Sequence, residues 1–243
     1  MNKPAAGYQY AMTYQLYLGN RLYFSWSIAA YLMFNRFGLE DQVKTTIFRP
    51  QSEAALRPMM ADLAPARTLP TAITSDGAVL NDSMAIAEEL ASRHPDIAFW
   101  PTDPLARGTA RALANEMHSS FGGLRSDWAV NLRTAYATVT PPDNIAAELD
   151  RIEEIWTHAR KVTGATAPWL CGDYCIVDAI FAPMATRLAT YGFDTRQRPR
   201  HMLRRIWLIR HSGVGGRWGW RTSRRCRHLR PTCLSYRGAA RHR

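Results

Sequence analysis

The chain has 243 residues, 31 basic and 20 acidic, for a formal net charge of +11 at neutral pH. That length can bury a sizeable core and makes two domains the natural expectation, and the composition is that of a globular chain. The charge would suggest a nucleic-acid or anionic-membrane partner. However, residues 195–243 hold 15 arginines and no Lys, Asp or Glu, so the preceding residues carry 16 basic and 20 acidic side chains.

The opening "MNKPAAGYQYAMTY" lacks the apolar core of a signal peptide, and "IAAYLMF" (28–34) is too short to cross a bilayer, so no membrane partner is expected. "YQLYLGN" (14–20) alternates large apolar with polar residues and predicts a first strand. "SIAAYLMFNRFG" (27–38) predicts a helix ending at Gly38, and "QVKTTIFRP" (42–50) a second strand stopped by Pro50. "SEAALRPMMADLA" (52–64) is a short helical stretch interrupted by Pro58. "LPTAIT" (69–74) and "AVLN" (78–81) read as strands around the hairpin signal "SDG", and "DSMAIAEELASRHP" (82–95) as a helix stopped before Pro95.

The next stretch, "PDIAFWPTDPLAR", is punctuated by prolines and reads as a linker, after which strand signals stop. Helical periodicity returns over 110–133, 144–164 and 175–192. The expected organisation is an α/β domain over 12–93, a linker over 94–105, an all-helical domain over 106–194, and an Arg-rich tail over 195–243. Four scattered cysteines match neither a disulfide scaffold nor a zinc or redox spacing, so no metal is expected and a reducing cytoplasm is the expected compartment.

Two features are poorly explained by a core. A proline, Pro70, stands at the start of a strand, and the following helix opens on Asp82-Ser83. An X-Pro bond adopts the cis form at a cost of only about 0.5–1 kcal/mol, so Leu69-Pro70 can be cis. A helix start offers free N–H groups and the positive end of the dipole, which favour an anion. The plain alternative is an edge-strand proline and an ordinary N-cap.

With this order of elements, the stretch from "FRPQSEAALRPMMADLAP" to "NDSMAIAEELASRHP" and the later "EMHSSFGGLRSDWAVNLR" resemble glutathione S-transferases over roughly residues 14–194. The resemblance implies a thioredoxin-like N-terminal domain, an all-α C-terminal domain, glutathione as co-substrate or cofactor, and a homodimer. It implies that Leu69-Pro70 is cis and that Leu69 pairs with the cysteinyl backbone of glutathione, as an added strand would. It further implies that Ser83 holds the γ-glutamyl carboxylate while Asp82 contacts the α-amino group.

The nucleophile would be the glutathione thiol, whose pKa near 8.5 needs lowering by a hydroxyl or a helix start. The family places Ser, Tyr or Cys after the first strand, here within "GNRLYFSWS" (19–27). Related sequences resemble "YSSWS" followed by Arg; this chain has Phe24 at the first serine, leaving Ser25 as the catalytic candidate with Ser27 and Tyr23 behind it. The alternative for Ser25 is a helix cap without chemistry. Arg111, His118 and Arg125 recur every seven residues and could line a basic pocket for an acidic, small electrophilic substrate, or simply form a solvated face. Cys175 and Asp178 open "CIVDA" as a capping box with a folding role. The expected activity is conjugation; a maleyl-to-fumaryl isomerisation of the zeta type and a non-catalytic glutathione-binding protein are the alternatives.

The resemblance stops after Asp194. The Arg-rich, carboxylate-free remainder has the usage of GC-rich DNA translated out of frame, and a permitted back-translation of 202–221 read two bases later resembles the terminal helices of the family. No nucleic-acid module accompanies the tail, so nucleic acid is not the expected partner beyond non-specific contact with polyanions in low salt.

Overall fold

The computed structural model describes residues 13–136, 140–166, 168–193 and 221–222. The order through the first ninety residues is β1 (Tyr14–Leu18), α1 (Ser25–Asn35), β2 (Val43–Ile47), α2 (Glu53–Met59), β3 (Thr71–Thr74), β4 (Val79–Leu80) and α3 (Ser83–Arg93). The four strands form one mixed sheet in the order β2-β1-β3-β4, with β1 parallel to β2 and antiparallel to β3. This is the expected thioredoxin-like arrangement, with each strand two to four residues shorter than its predicted run.

The alternation in β1 separates the two faces of the sheet. Tyr14, Leu16 and Leu18 are buried in the main core with α1 and α3, whereas Tyr17 joins a smaller cluster around Met60, Leu63 and Ala66 beneath α2. Helix α1 is buried on nearly every side (Ile28, Ala29, Leu32, Met33, Phe34), because α3 contacts it and so does the helix over Ile176–Tyr191 from the helical part. Gly38, at φ +74°, turns the chain out of α1 and lets the Leu39 N–H reach the Phe34 carbonyl at 2.9 Å.

The helical part comprises α4 (Pro104–Ser119), α5 (Gly122–Asp127), α6 (Asp143–Thr163) and α7 (Ile176–Tyr191). Two expectations are corrected here. Helix α4 begins at Pro104, inside the predicted linker, because Asp103 accepts from the Ala106 N–H at 2.8 Å and Pro104 occupies the first turn, where its missing N–H costs nothing. The predicted helix over 110–133 is broken at Phe121, whose φ of +62° reverses the backbone. Its buried ring offsets the roughly 1 kcal/mol or more of that left-handed conformation.

Helix α5 then lies close on α6. The Glu148 carboxylate accepts from the Gly123 and Leu124 N–H groups at 2.9 and 2.7 Å, and a Cβ at Gly123 would stand 2.9 Å from Ile145 Cδ1. Beyond α5, β5 (Thr134–Ala135) pairs in parallel with β6 (Arg221–Thr222). The rest of the Arg-rich tail, with the reading-frame expectation attached to it, lies outside the described residues. Among the described residues, no helix is long and apolar enough to cross a membrane.

Candidate active site

The turn after β1 delivers the chain to the start of α1. Phe24 is the N-cap residue and has no side chain that can cap, so the first N–H groups of α1 receive no side-chain cap. Its ring packs on Gly19, where an added Cβ would lie 2.5 Å from Phe24 Cγ. Ser27 is fully buried and its Oγ accepts from the Gly19 N–H at 2.9 Å, a bond that holds the turn. Tyr23 is exposed.

Ser25 sits in the first turn of α1, partly buried. Its Oγ accepts from Arg187 Nη2 at 2.9 Å, and its own proton has no acceptor among the described residues. Arg187 projects from α7 and is only 3% exposed. Its Nε donates to the Trp128 carbonyl at 2.8 Å and its Nη1 to the Pro183 carbonyl at 3.4 Å. No carboxylate among the described residues pairs with it. Burial, reinforced by the like charge of Arg125, lowers the Arg187 pKa to about 10. A buried charge without a counter-ion costs several kcal/mol, so a position serving packing alone would favour an apolar residue.

The second helix start lies at α3. Asp82 is its N-cap, with Oδ1 accepting from the Met84 and Ala85 N–H groups at 2.7 and 3.2 Å. Ser83 is 2% exposed, and its hydroxyl has no hydrogen-bond partner among the described residues. Leu69-Pro70 is cis and leads directly into β3. The Leu69 N–H and C=O make no hydrogen bond among the described residues. Thr68 Oγ1 donates to the Asn81 carbonyl at 3.1 Å, which brings the loop with these unpaired Leu69 groups beside the start of α3.

One contact joins the two halves in a way the sequence did not suggest. His118, near the end of α4, bonds through Nε2 to Asp82 Oδ2 at 2.8 Å; with Asp82 a carboxylate, Nε2 is the donor. The His118 ring also lies 5.0 Å from the Trp26 ring, and Arg125 Cζ lies 4.9 Å from the Trp26 centroid. Arg125 is held by carbonyls, donating to those of His118 (2.9 Å) and Ser120 (3.3 Å). His118 and Arg125 therefore converge on Trp26, the neighbour of Ser25. Arg111 does not join them: it pairs with Glu88 at 3.2 Å and lies over Trp100. The break at Phe121 puts Arg125 on a different helix, from which it reaches Trp26, whereas Arg111, on the same helix as His118, is drawn to Glu88.

Arg187 and the Asp82–His118 pair were missed at the sequence level. Arg187 had a signal, as the one basic side chain in a largely apolar helix. The Asp82–His118 pairing spans 36 residues and carries no local pattern. At the start of α7, the Asp178 carboxylate accepts from the Leu170 and Cys175 N–H groups, each at 3.0 Å. Burial raises the thiol of Cys171 to about 12 and that of Cys175 further, so neither is a nucleophile near neutral pH. Among the described residues, no group of three or more His, Cys, Asp and Glu side chains could hold a metal ion.

A thioredoxin-like sheet followed by a helical domain, with a cis-proline loop and a helix start facing it, defines the architecture of glutathione transferases. Residues 24–93 match the family model described as Glutathione S-transferase, N-terminal domain, and the fold of the chain has the glutathione transferase architecture. A probable maleylacetoacetate isomerase of Caenorhabditis elegans is 40% identical over 55 residues, 23% of this chain; the match spans only 25% of that protein's length. Among solved structures, a glutathione transferase homologue from Burkholderia with bound glutathione is similar at a TM-score of 0.55 and 23% identity, covering 81% of this chain and 91% of that one. A Sulfitobacter homologue with bound glutathione gives 0.52 and 15%, covering 84% and 100%. At these identities the structural likeness speaks for the fold.

Proposed function

We propose that the chain is a glutathione transferase that joins the glutathione thiolate to a small electrophile, with Ser25 holding the thiolate. The observation that carries this reading is the Ser25 hydroxyl in the first turn of α1, its proton without an acceptor beside N–H groups that no side chain caps. Leu69 would receive the cysteinyl backbone and Ser83 the γ-glutamyl carboxylate. Asp82 would receive the α-amino group, sharing its Oδ2 side with His118. Two solved structures of this fold hold bound glutathione, which supports glutathione as the ligand. The thiol proton leaves to water, the sulfur pair attacks the electrophilic carbon to form a C–S bond, and the leaving group departs with its bonding pair. Trp26, His118 and Arg125 would form the wall facing the electrophile and favour an acidic one. A homodimer belongs to this proposal, as the resemblance implies.

A second reading is favoured by the local match to a probable maleylacetoacetate isomerase. There the thiolate would add to a double bond, rotation would follow about the resulting single bond, and elimination would return glutathione unconsumed. Conjugate formation and glutathione-neutral isomerisation separate the two.

The test common to both is a pH titration of the thiol of bound glutathione by thiolate absorbance. A thiol pKa well below 8.5 that rises in Ser25→Ala is the expected result. Binding with an unshifted pKa would leave a glutathione-binding protein without thiolate chemistry, with Phe24 at the usual serine position as the reason.

A further inference from the structure

We propose that Arg187 is a positioning residue for the thiolate site: its guanidinium occupies an acceptor lone pair of Ser25 and so directs the Ser25 O–H toward the sulfur of glutathione. The proposal rests on the thiolate reading above and adds the group that orients and polarises its donor.

A serine hydroxyl rotates freely and can donate one hydrogen bond while accepting two. In an unconstrained first turn it can turn back to a carbonyl or to water. Here Arg187 Nη2 holds the oxygen at 2.9 Å, so the proton cannot lie on that side, and no acceptor among the described residues takes it. The guanidinium is itself fixed by carbonyls of two segments, Trp128 at the end of α5 and Pro183 one turn earlier on α7. Three points of attachment leave a planar fork little freedom. Its charge, without a carboxylate among the described residues, makes an anion just beyond Ser25 favourable. The other charged and titratable groups that Arg187 feels are Arg125 and Tyr191. Arg125 adds to the positive field, and burial holds the Tyr191 phenol as the neutral form, its pKa raised to about 12. Arg187 keeps its proton throughout; the thiol proton goes to water, and the thiolate accepts from Ser25.

A strut that merely ties α7 to α1 would show the same bond but would not respond to the charge on sulfur. The test therefore follows the thiol pKa of bound glutathione in the full chain, with S-methylglutathione as a ligand that has no thiol. In Arg187→Gln the pKa should rise by about one unit, a tenfold loss of thiolate near neutral pH, with S-methylglutathione affinity retained within about threefold. Arg187→Lys should recover part of the shift, because it restores charge without the fork. An unchanged pKa in Arg187→Gln overturns the proposal. So does a loss of S-methylglutathione binding equal to the loss of glutathione binding, which marks a strut.

A measurement on the unaltered chain guards against variants that do not fold. The 15N side-chain resonances of Arg187 should shift with the thiol titration when glutathione is bound and stay still with S-methylglutathione; resonances indifferent to that titration overturn the role. An unshifted thiol pKa in the unaltered chain sinks the thiolate reading itself. A shifted one with an indifferent Arg187 sinks the positioning role alone.

Discussion

Asp82 and His118 meet between the sheet-bearing and helical parts, with 2.8 Å separating His118 Nε2 from Asp82 Oδ2 while Asp82 Oδ1 caps α3. One carboxylate thus caps the start of a helix, ties down α4 and, in the proposed function, borders the place of the glutathione amino group. Replacements can divide these duties. Asp82→Ala removes all of them and should cost about 1–2 kcal/mol of stability from the cap alone. Asp82→Ser keeps a capping oxygen and should recover most of that cost, yet cannot reach His118. Urea melts should therefore separate the two variants, while calorimetric titration shows glutathione affinity reduced in both. Equal stability losses would mean that the α3 cap contributes little.

Phe24 fills the space over Gly19 so closely that a methyl group there would meet Cγ of the ring at 2.5 Å. Gly19→Ala should lose about 1–3 kcal/mol through overpacking. Phe24→Ala should lose packing as well, but the double variant should be more stable than the sum predicts, with a coupling of about 1–2 kcal/mol. Additive losses would show that the ring moves aside freely. Because this contact sets the turn into Ser25, Gly19→Ala should also weaken glutathione binding in direct assays.

Glu148 supplies both N–H partners at the start of α5, the short helix that carries Arg125. Truncation to Ala leaves those donors without the carboxylate and should cost about 1–3 kcal/mol. Arg125 should then lose its fixed place over Trp26, so KM for an acidic electrophile should rise more than kcat falls. A fall in kcat with KM unmoved would argue against Arg125 as part of the electrophile wall.

What was legible in the sequence follows from how local the signals were. Strand alternation at 14–18, the "SDG" hairpin and the Asp82 cap are set within a few residues, and each is found close to its predicted place. Helix α4 was read six residues late because Asp103-Pro104 looks like a linker until the capping bond is seen. The grouping of Arg111, His118 and Arg125 assumed an unbroken helix; the left-handed Phe121 breaks it, yet Arg125 still meets His118 at Trp26, and Arg111 departs because Glu88 on α3 takes it. At the site, the helix starts were visible as residue types. Their coupling was not, because Ser25 and Arg187 are 162 positions apart and come together only when α1 packs on α7.

The buried carboxylate at the start of α7 makes stability depend on pH in the sense opposite to most acidic side chains. Burial raises the Asp178 pKa from 3.8 to about 6, even though the Leu170 and Cys175 N–H groups favour its ionised form. Between those values the folded chain holds a proton that the unfolded chain has released. Its contribution is therefore fully present below about pH 4 and is lost as pH rises through 6, by on the order of 3 kcal/mol. Asp178→Asn does not titrate and offers one acceptor oxygen where two N–H donors need one each, so it should be less stable at every pH. The difference between the two proteins should be largest at pH 4 and shrink by about 2–3 kcal/mol by pH 7, since the other carboxylates cancel in the comparison. Urea melts at both pH values measure it, and a pH-independent difference would show that the N–H donors already hold Asp178 ionised below pH 4.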